Sequence, residues 1–328
     1  METENPKQTA EGVAEEIPSR NLPPVTYQDL PEPLPLGKIV GPGVIMVGIG
    51  MAAGEFIIWP YVTLVAGLGV LWLALVAMLS QVFINMEIER YTLATGETAV
   101  TGFSRLWKPW GLVFCFAALF QYAWPGWAAS ASTALTFLLG GGNVVLITIV
   151  ALFIIGVVLT ASPVVYQTVE KVEFFKVGAS IFFIVAVIAL VIPLSAWGDL
   201  GGAVVRDFGR IPEDVPIALI VAAIGAAGAG GVHNLVLSNW IRDKGYGMGA
   251  RIPRVVSPIT GEDQARPSLG YLFPQDEENL SRWKVWWRRA NIEHFISYFV
   301  VGMTVIVIMS LLAYATLSGQ DVSTESGT

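Results

Sequence analysis

Val44-Ile-Met-Val-Gly-Ile-Gly-Met-Ala-Ala-Gly-Glu55-Phe-Ile-Ile-Trp59 is an apolar run interrupted at its centre by small residues and one carboxylate. Far along the chain a second run has the same form: Ala218-Leu-Ile-Val-Ala-Ala-Ile-Gly-Ala-Ala-Gly-Ala-Gly-Gly-Val-His233-Asn-Leu-Val-Leu237. In a bilayer such interruptions carry meaning. Unwound backbone at membrane depth persists only where it is buried in protein or lines a cavity. Two broken spans in corresponding positions of two repeats point to the binding site of a secondary transporter.

Composition supports a membrane setting. Of 328 residues, 54% are hydrophobic and 14% charged, with a mean hydropathy of +0.62; soluble domains carry about 25% charged residues. Apolar stretches long enough to cross the hydrocarbon core are read at 40–66, 69–93, 111–138, 144–163, 173–195, 215–241 and 293–317. About seven crossings give an all-α, polytopic helix bundle. On this count Lys38, Arg90, Arg105, Lys108, Lys171, Lys176, Arg242, Lys244, Arg288 and Arg289 fall on one side, and Arg206 and Arg210 on the other. The excess of Lys and Arg then places the N-terminus in the cytoplasm, and the expected location is the plasma membrane.

The first 37 residues hold Glu2, Glu4, Glu11, Glu15, Glu16, Asp29 and Glu32 with Pro23, Pro24, Pro31, Pro33 and Pro35. This composition predicts a disordered cytoplasmic tail over 1–37, without the basic n-region of a cleaved signal peptide. A first repeat is expected over 38–198 and a partial second repeat over 212–317, with a cytoplasmic loop at 243–290 and an extracellular tail at 318–328. The lone cysteine, Cys115, excludes an internal disulfide and reads as a small buried residue. Leu280-Ser-Arg-Trp-Lys-Val-Trp-Trp-Arg-Arg-Ala290 mixes indoles with cations, as segments in the lipid headgroup layer do. Beside so many spans, nucleic acid is not an expected partner; the lipid bilayer is.

Breaking a helix at the midplane exposes carbonyls at the end of one half and N–H groups at the start of the next, and the carbonyl end attracts cations. At the first break Ala52, Ala53 and Gly54 supply carbonyls and Glu55 a carboxylate. At the second, Gly230 and Gly231 permit unwinding, while His233 and Asn234 offer side-chain ligands. The expected metal ligands are Glu55, Ala52, Gly230 and His233. Such oxygen-rich sets suit hard or borderline divalent cations. Plainer readings stand beside these. Glu55 can cap the N–H groups opening the second half-helix, and His233 can be a hydrogen-bonded core histidine or a proton acceptor. Phosphate-binding glycine loops, paired-histidine zinc motifs and nucleophile elbows are missing from the sequence, so no enzyme and no cofactor is expected.

At Gly41-Pro42-Gly43, running without a gap into the first break, the sequence resembles the Nramp (natural resistance-associated macrophage protein) family of divalent-metal transporters. The likeness continues through Leu71-Trp72-Leu73 and Lys171-Val-Glu-Phe-Phe175 to Gly231-Val232-His233-Asn234-Leu235, covering about 40–310. The resemblance implies a LeuT-like fold of two inverted five-helix repeats, with helices 1 and 6 broken at a central metal site. It also implies proton-coupled movement of ions such as manganese or iron. The family's Asp-Pro-Gly-Asn is Ala52-Ala53-Gly54-Glu55 here, and its Met-Pro-His-Asn-Leu keeps only His233, Asn234 and Leu235. Losing the methionine thioether while keeping an anionic oxygen shifts the expected cargo toward magnesium or manganese. A ten-helix core needs at least three more spans than this chain supplies, so further C-terminal helices or a completing chain are expected. The expected function is a secondary transporter of a divalent cation. The alternatives are a carrier of this fold for another solute and a truncated, non-transporting scaffold.

Overall fold

The computed structural model describes residues 16–17, 19, 21–123, 126–161, 165–213, 215–252 and 270–319. The described residues are mostly helical, at 78%. In order come strands β1 (Glu16–Ile17) and β2 (Val25–Tyr27), helices α1 (Leu36–Ile39) and α2 (Pro42–Gly50), a π-helix (Gly54–Ile58) and α3 (Trp59–Ala66). Then follow α4 (Leu71–Thr95), α5 (Ala99–Leu106), α6 (Trp110–Tyr122), α7 (Gly126–Leu139), α8 (Val144–Ala161), α9 (Val165–Leu190) and α10 (Leu194–Asp207). The remainder is α11 (Ile217–Gly225), α12 (Val232–Lys244), strand β3 (Tyr271–Leu272), α13 (Glu277–His294), a second π-helix (Phe295–Val300) and α14 (Val301–Leu317).

Four described helices are long and apolar enough to cross a membrane: Leu68–Thr95, Val144–Ala161, Gln167–Leu190 and Glu277–Leu317. The pair Pro42–Gly50 and Gly54–Ala66, bent by 48°, makes a fifth if counted as one span. These helices mark a membrane protein. Helix α8 illustrates why: only 6% of it is buried in protein, and its outward face carries Val145, Leu146, Ile149, Phe153 and Ile154. Water would not tolerate so much exposed apolar surface, whereas lipid does. The expected span at 111–138 differs from the sequence reading in being described as two helices, α6 and α7, each too short to cross alone. The span at 215–241 is divided into α11 and α12 at the break expected of its glycines.

The chain forms two compact units. One comprises Met1–Pro42, Ile84–Val172 and Val232–Glu293. Within it β2 pairs antiparallel with β1 and parallel with β3. The described part of the acidic, proline-rich segment is therefore not the disordered tail its composition predicts. Its proline-rich stretch cannot form a regular ladder, so its carbonyls find side-chain donors instead. Asn279, Arg282, Trp286 and Arg289 lie on one face of α13, at i, i+3, i+7 and i+10. Asn279 Oδ1 accepts the Leu30 N–H at 2.7 Å; Arg282 donates to the Leu30 carbonyl, Trp286 Nε1 to that of Pro31 at 2.8 Å, and Arg289 to that of Leu34. Trp286 is consequently buried against Tyr246 and not displayed to headgroups. Arg289, likewise, is spent on the Leu34 carbonyl.

In the same unit Glu97 is buried and accepts from Tyr91 Oη (2.6 Å), Arg105 Nε (2.8 Å) and the Gly270 N–H (3.0 Å). That pairing holds the Arg105 guanidinium above its ordinary pKa. Cys115, expected inside, is exposed on α6. The other unit comprises Gly43–Phe83, Glu173–Gly231 and His294–Thr328. Its core is α14 packed along α3, with Trp59, Val62, Val305, Ile306 and Leu311 buried.

Candidate functional site

Both sequence breaks are real interruptions. Helix α2 stops at Gly50, where the Ala52 N–H turns back onto the Gly50 carbonyl at 2.6 Å. The chain resumes as a π-helix, with the Trp59 N–H donating to the Gly54 carbonyl five residues back. Pro60 explains this wide turn. It cannot donate to the carbonyl four residues before it, and its ring would crowd that carbonyl in a regular helix. One extra residue in the turn removes the conflict.

The second break opens after α11. The Ala226 N–H shares the carbonyls of Ala222 and Ala223, and the chain then leaves the helix through Gly228 (φ +68°) and Gly231 (φ +70°). These left-handed conformations favour glycine. The freed polar groups of this stretch are met by three side chains. Glu55 Oε1 accepts the Gly228 N–H at 2.7 Å, and Tyr298 Oη accepts the Ala229 N–H at 3.2 Å. Gln81 Nε2 donates to the Ala227 carbonyl at 2.5 Å, while Tyr298 Oη donates to Gln81 Oε1 at 2.9 Å.

Within this unit the two interruptions touch. A Cβ on Gly54 would lie 3.0 Å from the Ala226 carbonyl carbon, and one on Gly50 would lie 3.2 Å from the Gly228 Cα. Glu55 is buried, and its Oε2 accepts the Ala52 N–H at 3.3 Å. Lys176 adds a positive charge at the first break, donating from Nζ to the Gly48 carbonyl and pairing with Glu173 at 3.6 Å. Gly48 allows this, because a Cβ there would stand 3.0 Å from the Glu173 carboxyl carbon.

Each expected residue can now be placed. Ala52, Gly54, Glu55, Gly230 and Gly231 belong to this unit, but Glu55 meets Gly228 where Gly230 was expected. The Ala52 carbonyl accepts the Phe56 N–H at 3.1 Å, leaving one lone pair for a ligand. His233 and Asn234 belong to the other unit, at the start of α12. There Gln121 Nε2 lies 3.1 Å from His233 Nδ1, its Oε1 accepts the Val232 N–H at 3.2 Å, and Tyr122 meets the imidazole edge-on. Asn234 is buried, and among the described residues its Oδ1 has no partner. His294 is buried and stacked on Tyr298 at 4.8 Å.

Sequence reasoning missed Gln81, Tyr298, Lys176 and Gln121. Gln81 and Gln121 had a signal, being amides inside apolar runs; Tyr298 had none, since a tyrosine near a membrane boundary is ordinary. Among the described residues no three of His, Cys, Asp and Glu converge to hold a metal. A cation at the breaks would therefore rely on one carboxylate and peptide oxygens. An ionised carboxylate offers about four lone-pair directions, so Glu55 retains capacity after accepting two N–H bonds. A separate polar cavity of about 370 Å³ in this unit is lined by Gly69, Asp199, Arg206, Asp207 and Tyr314. The chain matches no protein-family model, no curated protein and no solved structure.

Proposed function

We propose that this chain is a membrane carrier of the Nramp-like type, moving a divalent cation such as manganese, iron or magnesium around the two helix breaks. One observation carries the reading: a buried carboxylate, Glu55, ties the first interruption to the second through the Gly228 N–H. A group that holds two half-helices together by hydrogen bonds is also one that a cation can recruit. Each bond to a charged acceptor contributes about 1.5–3 kcal/mol, which coordination of a divalent ion by the same carboxylate offsets. Drawing Glu55 toward a cation would release Gly228 and Ala52, letting the half-helices shift and changing which side can reach the site. Such movement of broken helices about a fixed site is how inverted-repeat carriers alternate access.

In this reading the fold is LeuT-like, the chain resides in the plasma membrane with its N-terminus in the cytoplasm, and Glu55 exchanges the cation for a coupling proton. Proteoliposomes loaded with a divalent-sensitive dye test it. Uptake of manganese that is lost in Glu55→Gln supports the carrier. A non-transporting scaffold is the second reading, favoured by each Glu55 oxygen already accepting a backbone N–H at the breaks. It predicts no uptake by the full chain and the same manganese binding in the parent and in Glu55→Gln.

A further inference from the structure

Asn85 and Glu89 stand one turn apart on the same face of α4, a spacing that sets their Cβ atoms about 5–6 Å apart. Both are withdrawn from solvent, at 0% and 1% exposure. Among the described residues neither amide atom of Asn85 has a hydrogen-bond partner, nor does Glu89 Oε2. Glu293, near the end of α13 and also buried, lies close enough to act on Glu89 electrostatically. Its Oε1 accepts the Gly41 N–H at 3.2 Å. The neighbouring cation, Arg90, turns outward to Glu87. Two carboxylates and a carboxamide thus share an interior region of one unit with three polar atoms unsatisfied.

Buried like charges are strongly unfavourable unless a counter-charge joins them, and ionisable groups inside spans mark functional sites. We propose that Asn85 Oδ1, Glu89 and Glu293 form a second cation site, for a hard divalent ion that keeps part of its water shell. The charge matches, all the ligand atoms are oxygens, and such ions take oxygen ligands with retained water. The carboxamide also points away from mere proton sharing, which needs no third oxygen. The Gly41 N–H holds Glu293 in place as an outer partner. An ion here would tie α4 to α13, independently of the Glu55 site.

Manganese titration of the full-length, chelator-stripped chain in detergent, read by electron paramagnetic resonance, tests this. The Glu55→Gln variant is expected to retain one bound equivalent. Adding Glu89→Gln or Glu293→Gln should abolish that equivalent, and adding Asn85→Ala should weaken it about tenfold. Manganese should raise the unfolding temperature of Glu55→Gln but not of Glu55→Gln/Glu89→Gln. Should the double variant fail to fold, Asn85→Ala, which keeps every charge, decides. Retention of manganese by the Glu89 and Asn85 variants at unchanged affinity overturns the proposal, as does its complete loss in Glu55→Gln alone. Absent uptake in proteoliposomes would sink the carrier reading and leave this site standing.

Discussion

Glu55 Oε1 accepts the Gly228 N–H at 2.7 Å, so one carboxylate joins two helix interruptions 173 residues apart in the chain. Truncating it leaves a buried backbone donor without a partner, which costs about 1–3 kcal/mol. Glu55→Ala should therefore unfold at a clearly lower temperature than the parent. Glu55→Gln, which keeps an acceptor oxygen, should lose less. Thermal unfolding in detergent compares them, and equal losses would show that the bond matters little.

Gly228 and Gly225 provide an internal control. Gly228 has φ +68°, and a Cβ there would meet Met78 Sδ at 2.8 Å. A Cβ on Gly225 would meet nothing within 4 Å. The left-handed strain alone costs about 1–2 kcal/mol, and overpacking adds about 1–3 kcal/mol. Gly228→Ala should be strongly destabilising, while Gly225→Ala should be neutral or stabilising by up to about 1 kcal/mol.

The Glu97–Arg105 pair lies mostly out of water, with side chains 1% and 15% exposed. Breaking a buried pair by removing one partner costs about 3–5 kcal/mol, because the survivor is left uncompensated. Glu97→Gln should cost at the lower end of that range. It should also speed hydrogen exchange at the Gly270 amide, which Glu97 Oε1 accepts at 3.0 Å.

Asp276 makes the start of α13 pH-sensitive. The Asn279 N–H donates to its Oδ1 at 2.8 Å, and this bond, with the Asn279 side-chain amide, holds the carboxyl below its usual 3.8. A depressed carboxylate stabilises fully above its unfolded pKa, and that contribution disappears as pH falls through the folded one. Exchange at the Asn279 amide should thus accelerate only below about pH 4. In Asp276→Ala the amide should exchange fast at every pH, with no such step.

Much of the architecture was legible because it rests on local physics. The apolar runs at 69–93 and 144–163 announce α4 and α8 by length alone, and the Gly-Ala clusters at 50–54 and 225–231 announce the breaks. The division of 111–138 into α6 and α7 was hidden, since small residues around Gly126 also suit close helix packing. The proline-rich segment misled for a related reason. Composition reports whether a stretch can bury its own apolar surface, but not whether Asn279 waits on a distant helix to accept its Leu30 N–H, with Arg282, Trp286 and Arg289 to receive its carbonyls.

The candidate site divides in the same way. Glu55 stood out in the sequence as an ionisable group inside an apolar run, and the carbonyl-rich breaks followed from missing side chains. That Glu55 meets Gly228, that Gln81 and Tyr298 complete the second break, and that His233 turns to Gln121 were decided by tertiary structure. Hydropathy and helix-breaking tendencies are properties of a residue and its near neighbours, so they survive in a linear string. Hydrogen bonds between groups far apart in the chain depend on which surfaces come together, and only the folded chain settles that.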